Sequence, residues 1–97
     1  MSVMVLLEFR SKPDCLERLK EKLAEWLPDT RSYEGCSGTG AYSLTDDPHL
    51  LVMVERWESR EHYERYRNWR ADTGVRAQLV AMLEGPPIVR YFEQLDA

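Results

Sequence analysis

The chain has 97 residues, 43% apolar and 31% charged, with a formal net charge of −4 at pH 7. That length holds one domain over residues 1–97 and leaves no room for a second core, and the composition is that of a folded globule, not a disordered tail. Basic residues alternate with acids in ERLKEK and ERWESREHYERYR, which argues against nucleic acid, a partner that wants a basic stripe.

Val3–Arg10 (VMVLLEFR) is rich in strand formers and reads as a largely buried first strand. Pro13 suits the first turn of a helix. Leu16, Leu19, Leu23, Trp26 and Leu27 then recur at helical spacing, opposite a solvated face of Glu17, Arg18, Glu21, Lys22 and Glu25. Pro28 is expected to end or kink that helix, leaving PDTRSYEGCSG as an irregular or short-helical connection. Cys36–Leu44 is a weaker strand diluted by Gly38 and Gly40, and Thr45–His49 (TDDPH) is a turn that makes a hairpin with the next strand. Leu50–Trp57 is the clearest strand, and Ser59 is the N-cap of the helix after it. Gly74 stops that helix, Val75, Leu79, Met82 and Leu83 mark a shorter one, Gly85-Pro86-Pro87 breaks it, and Ile88–Leu95 is a last strand.

The order β-α-β-β-α-(α)-β defines an α+β, ferredoxin-like split βαβ domain with a four-stranded antiparallel sheet. Its helices cover one sheet face. In the first strand Val3, Val5, Leu7 and Phe9 share one parity, and Met4, Leu6 and Glu8 the other. In the third, Leu51 and Met53 oppose Val52 and Val54, so the uncovered face remains apolar. A second copy stacked on it would hide that patch, and a homodimer through the sheet face is expected. Met1-Ser2 leads straight into a strand-like run, so no signal peptide is expected. Apolar stretches fall far short of the roughly 18 residues of a membrane span. Cys15 and Cys36 sit on different elements without metal-ligand spacing, which suits a reduced, cytoplasmic protein with no disulfide.

VERWESREHYERY, preceded by YEGCSG and followed by WRADTG and GPPIVRYFE, resembles the antibiotic biosynthesis monooxygenase domain family, over nearly the whole chain from LLEFRSKP to RYFE. The resemblance implies the same ferredoxin-like fold assembled as a dimeric α+β barrel. It also implies one of several activities: oxygenation of aromatic polyketides or quinols without metal, flavin or haem, or binding and degradation of haem. The haem-degrading branch uses an Asn in the first strand and a His on a later helix. Here Phe9 and the stretch around Arg76-Ala77 stand in those places, so haem degradation is not expected. No His, Asp or Glu set has metal-ligand spacing either, and no metal or cofactor is expected.

Dioxygen reacts slowly with organic molecules because the triplet needs one-electron steps. A deprotonated phenol can supply that electron itself. The protein must then hold a flat substrate in a dry pocket, favour its anion and protonate the resulting peroxide. Trp57 matches the family's tryptophan at the end of the third strand and is either a pocket wall that can donate its indole N–H or a core residue. Glu55, at the same parity, is either a base with a raised pKa or half of an ion pair with a helix residue such as Arg70. His62 has the right ordinary pKa for proton transfer but lies in an exposed first helical turn, whereas His49 is in a solvated hairpin turn. Tyr63, Tyr66 and Trp69 form an aromatic ridge, core or ligand wall, and Arg70 with Asn68 is either an anion site or a solvated helix end. The candidate catalytic residues are therefore Trp57, Tyr66, His62 and Glu55, and the candidate substrate-binding residues are Phe9, Trp57, Tyr63, Trp69 and Arg70. The favoured function is a cofactor-independent monooxygenase acting on a quinol or polycyclic phenol with O2. The alternative is a non-catalytic dimeric small-molecule-binding or stress-related protein on the same fold.

Overall fold

In the computed structural model, which describes residues 2–96, the first strand, β1 (Val3–Arg10), alternates buried and half-buried positions as far as Phe9 and ends on the exposed Arg10. Side chains on a strand point to opposite faces in turn, so this alternation divides the sheet into a covered and an open side. The remaining elements are α1 (Leu16–Ser32), β2 (Cys36–Leu44), β3 (Asp47–Trp57), α2 (Arg60–Asp72), α3 (Val75–Ala81) and β4 (Ile88–Phe92). The four strands form one sheet in the order β2-β3-β1-β4, every neighbour antiparallel, which is the expected ferredoxin-like arrangement. Val5 pairs with Glu55, Leu7 with Met53 and Phe9 with Leu51, and all six are buried on the helix side. Leu19, Leu23, Trp26 and Leu27 of α1 and Tyr63 and Tyr66 of α2 complete that core.

Five boundaries differ from the sequence expectation. Pro13 lies in a turn before α1, not in its first helical turn. Pro28 neither ends the helix nor opens a loop, and α1 runs on to Ser32. An interior proline costs about 3 kcal/mol of helix stability. Offsetting it, Thr30 is buried one turn on from Trp26 and Leu27, and Arg70 reaches across from α2 to the Trp26 carbonyl at 2.7 Å. The hairpin turn shrinks to two residues, because Leu44 already pairs with Asp47. Pro48, which has no N–H to give, falls in the register irregularity between that pair and Ser43–Leu51. The last strand stops at Phe92, not Leu95. Met82 and Leu83 lie past the end of α3 but are buried, and the Lys12 amide donates to the Met82 carbonyl at 2.9 Å.

On the open side, Leu6 lies between Val54 and Arg90, and Met4 between Arg56 and Phe92. Tyr42, Ile88 and Phe92 are exposed there, while Leu6, Val52 and Val54 are half-buried. No helix among the described residues is long and apolar enough to cross a membrane.

Candidate functional site

Residues 55 and 57 lie two apart on β3, so the strand aims both side chains under the helices. Both are almost wholly buried, and the Trp57 indole N–H donates to Glu55 Oε1 at 3.0 Å. A carboxylate loses most of its hydration at that depth. Burial accordingly pushes the Glu55 pKa up to about 7, against the downward pull of the Trp57 hydrogen bond and the Arg70 charge. Near neutrality Glu55 is thus poised between acid and base, the condition under which a side chain moves protons most effectively.

Arg70 is the second buried charge. It is not at a solvated helix end. Its Nε donates to the Tyr66 hydroxyl at 2.9 Å, and one terminal nitrogen donates to the Trp26 carbonyl and to Thr30 Oγ1 at 3.1 Å. The Tyr66 and Thr30 hydroxyls are themselves 2.6 Å apart. Among the described residues no carboxylate lies within ion-pair distance of Arg70, so its charge acts on Glu55 through space. Burial also raises the pKa of Tyr66 and of Tyr63, which keeps both phenols neutral.

Between these groups and α3 lies a cavity with about 60 Å³ open to the centre of a water molecule. Met53 and Glu55 line it from β3, Tyr63, Tyr66 and Arg70 from α2, and Val75 and Leu79 from α3. Arg67 and Arg76, both half-buried, line it as well. A wider groove of about 590 Å³ separates α1 from β2, with Lys20 and Arg31 on its rim. It contains no buried titratable group, so the smaller cavity is the candidate site. Among the described residues no three His, Cys, Asp or Glu side chains converge as a metal set would.

Of the sequence candidates, Glu55, Tyr63, Tyr66 and Arg70 converge on this cavity. Trp57 does not border it. Its fully buried ring packs edge-on against Tyr63, with centroids 5.9 Å apart, and tilted against Tyr66 at 5.0 Å, so it backs two cavity residues from behind and reaches a third through the bond to Glu55. Trp69 stacks on Tyr33 with centroids 5.1 Å apart, and Phe9 is buried further along the sheet. His62 belongs to the start of α2. Ser59 Oγ accepts its amide at 3.2 Å and lies 2.7 Å from Nδ1, while Nε2 faces Glu58 at 3.3 Å. Asn68 is exposed, and His49 Nε2 lies 3.3 Å from the Pro13 carbonyl. Sequence reasoning missed Thr30, Arg67 and Arg76. Thr30 continues the α1 stripe one turn beyond Trp26 and Leu27, past Pro28, and Arg67 follows Tyr63 by four residues and so shares its helix face. Arg76 lies in the stretch that stands where the haem-degrading branch carries its histidine, and that resemblance is the one signal that could have found it.

A split βαβ sheet with a buried carboxylate facing two tyrosines of α2 defines a small α+β protein with a mostly apolar internal pocket that a few polar groups enter. The family model of the antibiotic biosynthesis monooxygenases matches residues 2–71. A similar curated protein is Rv0793 of Mycobacterium tuberculosis, provisionally named a monooxygenase, which is 30% identical over 94 residues covering 97% of this chain and 92% of its own length. The chain belongs to the antibiotic biosynthesis monooxygenase family. The solved structure of Rv0793 superposes with a TM-score of 0.87 at 29% identity, covering 100% of this chain and 98% of that one. A conserved protein from Methanosarcina mazei Go1 shares the fold at 17% identity, with a TM-score of 0.89 over 98% of this chain and 94% of its own.

Proposed function

We propose that this chain is a cofactor-independent monooxygenase that oxidises a quinol or polycyclic phenol with O2, working as a homodimer in the cytoplasm. The observation that carries the reading is Glu55, a carboxyl group with a pKa near 7 held by Trp57 on the wall of a cavity flanked by two neutral tyrosines. Glu55 accepts the phenol proton. The phenolate passes one electron to O2, the radical pair joins as a carbon-bound peroxide, and Glu55 returns the proton to it. For a phenol with a free para C–H, loss of water then leaves a quinone. Overall, phenol and O2 give quinone and one water, with every electron drawn from the substrate. Arg70 favours the anionic states through space, while its hydrogen bonds to Tyr66 and Thr30 hold the α2 wall in place.

Ligand pockets are usually about 300–1,000 Å³, so a polycyclic substrate requires the cavity to open. Its weakest wall is α3, none of whose residues is fully buried. The apolar open sheet face supports the dimer, and the two free cysteines suit a reducing compartment. The narrowness of the cavity favours a second reading, a non-catalytic dimeric small-molecule-binding or stress-related protein. Oxygen uptake with 1-naphthol and larger polycyclic phenols separates the two. The oxygenase reading requires turnover that Glu55→Gln lowers by about 10²-fold or more. Ligand binding without oxygen uptake establishes the second.

A further inference from the structure

Proton transfer at Glu55 leaves two cavity residues without a task, Arg67 on α2 and Arg76 in the first turn of α3. They stand on either side of Gly74, whose positive φ of 83° turns the chain between the two helices. We propose that they bind a carboxylate on the substrate, so that the cavity selects an acidic aromatic phenol over its neutral counterpart. This rests on the reading above that the cavity receives a phenol.

Both arginines are half-buried, yet among the described residues neither has a carboxylate within 4.0 Å. By contrast, Arg10 pairs with Asp47 at 2.9 Å and Arg60 with Glu64 at 3.4 Å. Most basic side chains without a carboxylate partner are exposed; apart from Arg70, Arg67 and Arg76 are the ones among the described residues that are half-buried, and they converge on one cavity from two elements. Arg70 does not replace them, because its Nε and one terminal nitrogen are committed to Tyr66, Trp26 and Thr30. Arg67 also reaches inward electrostatically, since its charge lowers the pKa of Tyr63 against the upward effect of burial. A planar guanidinium fork matches a carboxylate with two parallel hydrogen bonds, and two forks fix its orientation. An acid group held by half-buried arginines points the opposite end of a flat ring inward. That end carries the phenol toward the deeply buried Glu55.

Calorimetric titration of the full chain with 6-hydroxy-2-naphthoate and with 2-naphthol, which differ by the carboxylate alone, tests the assignment. The wild type should bind the naphthoate about tenfold tighter at low salt, and added salt should shrink that margin. R67Q/R76Q should lose the preference and keep its affinity for 2-naphthol, and each single variant, the readout if the double variant is unstable, should lose part of it. Equal affinities in the wild type, or a preference that survives the substitutions, overturn carboxylate selection and leave the oxygenase reading standing. Failure of both probes to bind overturns the phenol pocket and the inference together. Tight naphthoate binding without oxygen uptake on the phenol panel keeps the selection and removes the oxygenase.

Discussion

Between pH 4.5 and about 7, Glu55 keeps a proton in the folded chain that it gives up in the unfolded one, because burial raises its pKa from 4.5 to about 7. Below that window both states are protonated and Glu55 adds no pH-dependent cost. As pH rises through it the unfolded state ionises first and stability falls, until above about 7 the full cost of a buried carboxylate is present, on the order of 3 kcal/mol. Glu55→Gln still accepts the Trp57 N–H and carries no charge. Urea melts should therefore show the variant more stable than wild type at pH 8 and nearly equal at pH 4.5. A wild-type stability that rises across this window would contradict the burial account. At this scale a residue's type and parity were legible, and its environment was not. The alternation along β3 puts Glu55 beside Trp57 on the covered face, but a carboxylate pairing with Arg70 and one poised near neutrality look identical in sequence. The depth of the site, and the commitment of Arg70 to Trp26, Thr30 and Tyr66, separate them.

The α2 helix was legible as an element because its start signal is local. Ser59 is extended, with φ −156° and ψ 166°, and its hydroxyl accepts the amide of His62 three residues on. Ser59→Ala should cost about 1 kcal/mol, and by the usual entropy of unfolding lower Tm by about 4–8 °C in calorimetry. The same helix start meets Gly35, where φ is +92° and an added Cβ would overlap the His62 ring. Gly35→Ala combines backbone strain with that overlap and should destabilise more than the lost cap, measured in the same way. The α1 helix shows the opposite case. Its stop signal, Pro28, is local and strong, but the residues that override it come from elsewhere. Trp26, Leu27 and Thr30 flank it and are buried, and their partner comes from α2, where Arg70, 44 positions from Trp26, donates to the Trp26 carbonyl and to Thr30. Local propensity reads such a proline as an end, and tertiary contact lets the helix pass through it.

For the whole molecule, one open apolar sheet face sets the expected assembly. Leu6 sits at its centre between Val54 and Arg90, while Tyr42 and Phe92 are exposed toward its two edges. If a second copy covers this face, Val52→Glu, on the same open side and directly beside Glu8, buries an unpaired carboxylate at the interface, at a cost of several kcal/mol. Light scattering at micromolar concentration should then give a dimer mass for wild type and a monomer mass for the variant. A wild-type monomer would remove the dimer proposal. Within the single chain, the strand count, the helix-covered face, the antiparallel order and the family were all determined by the sequence. Each rests on local periodicity or on short motifs whose spacing survives without any knowledge of contacts. The pocket was decided by tertiary structure alone. Trp57, the residue that most marks this chain, turned out to hold Glu55 instead of lining the cavity, and Arg67 and Arg76 line it although neither was a candidate site residue. Burial, pKa and cavity shape depend on groups distant along the chain meeting at one place, and no periodicity within any one segment encodes that meeting.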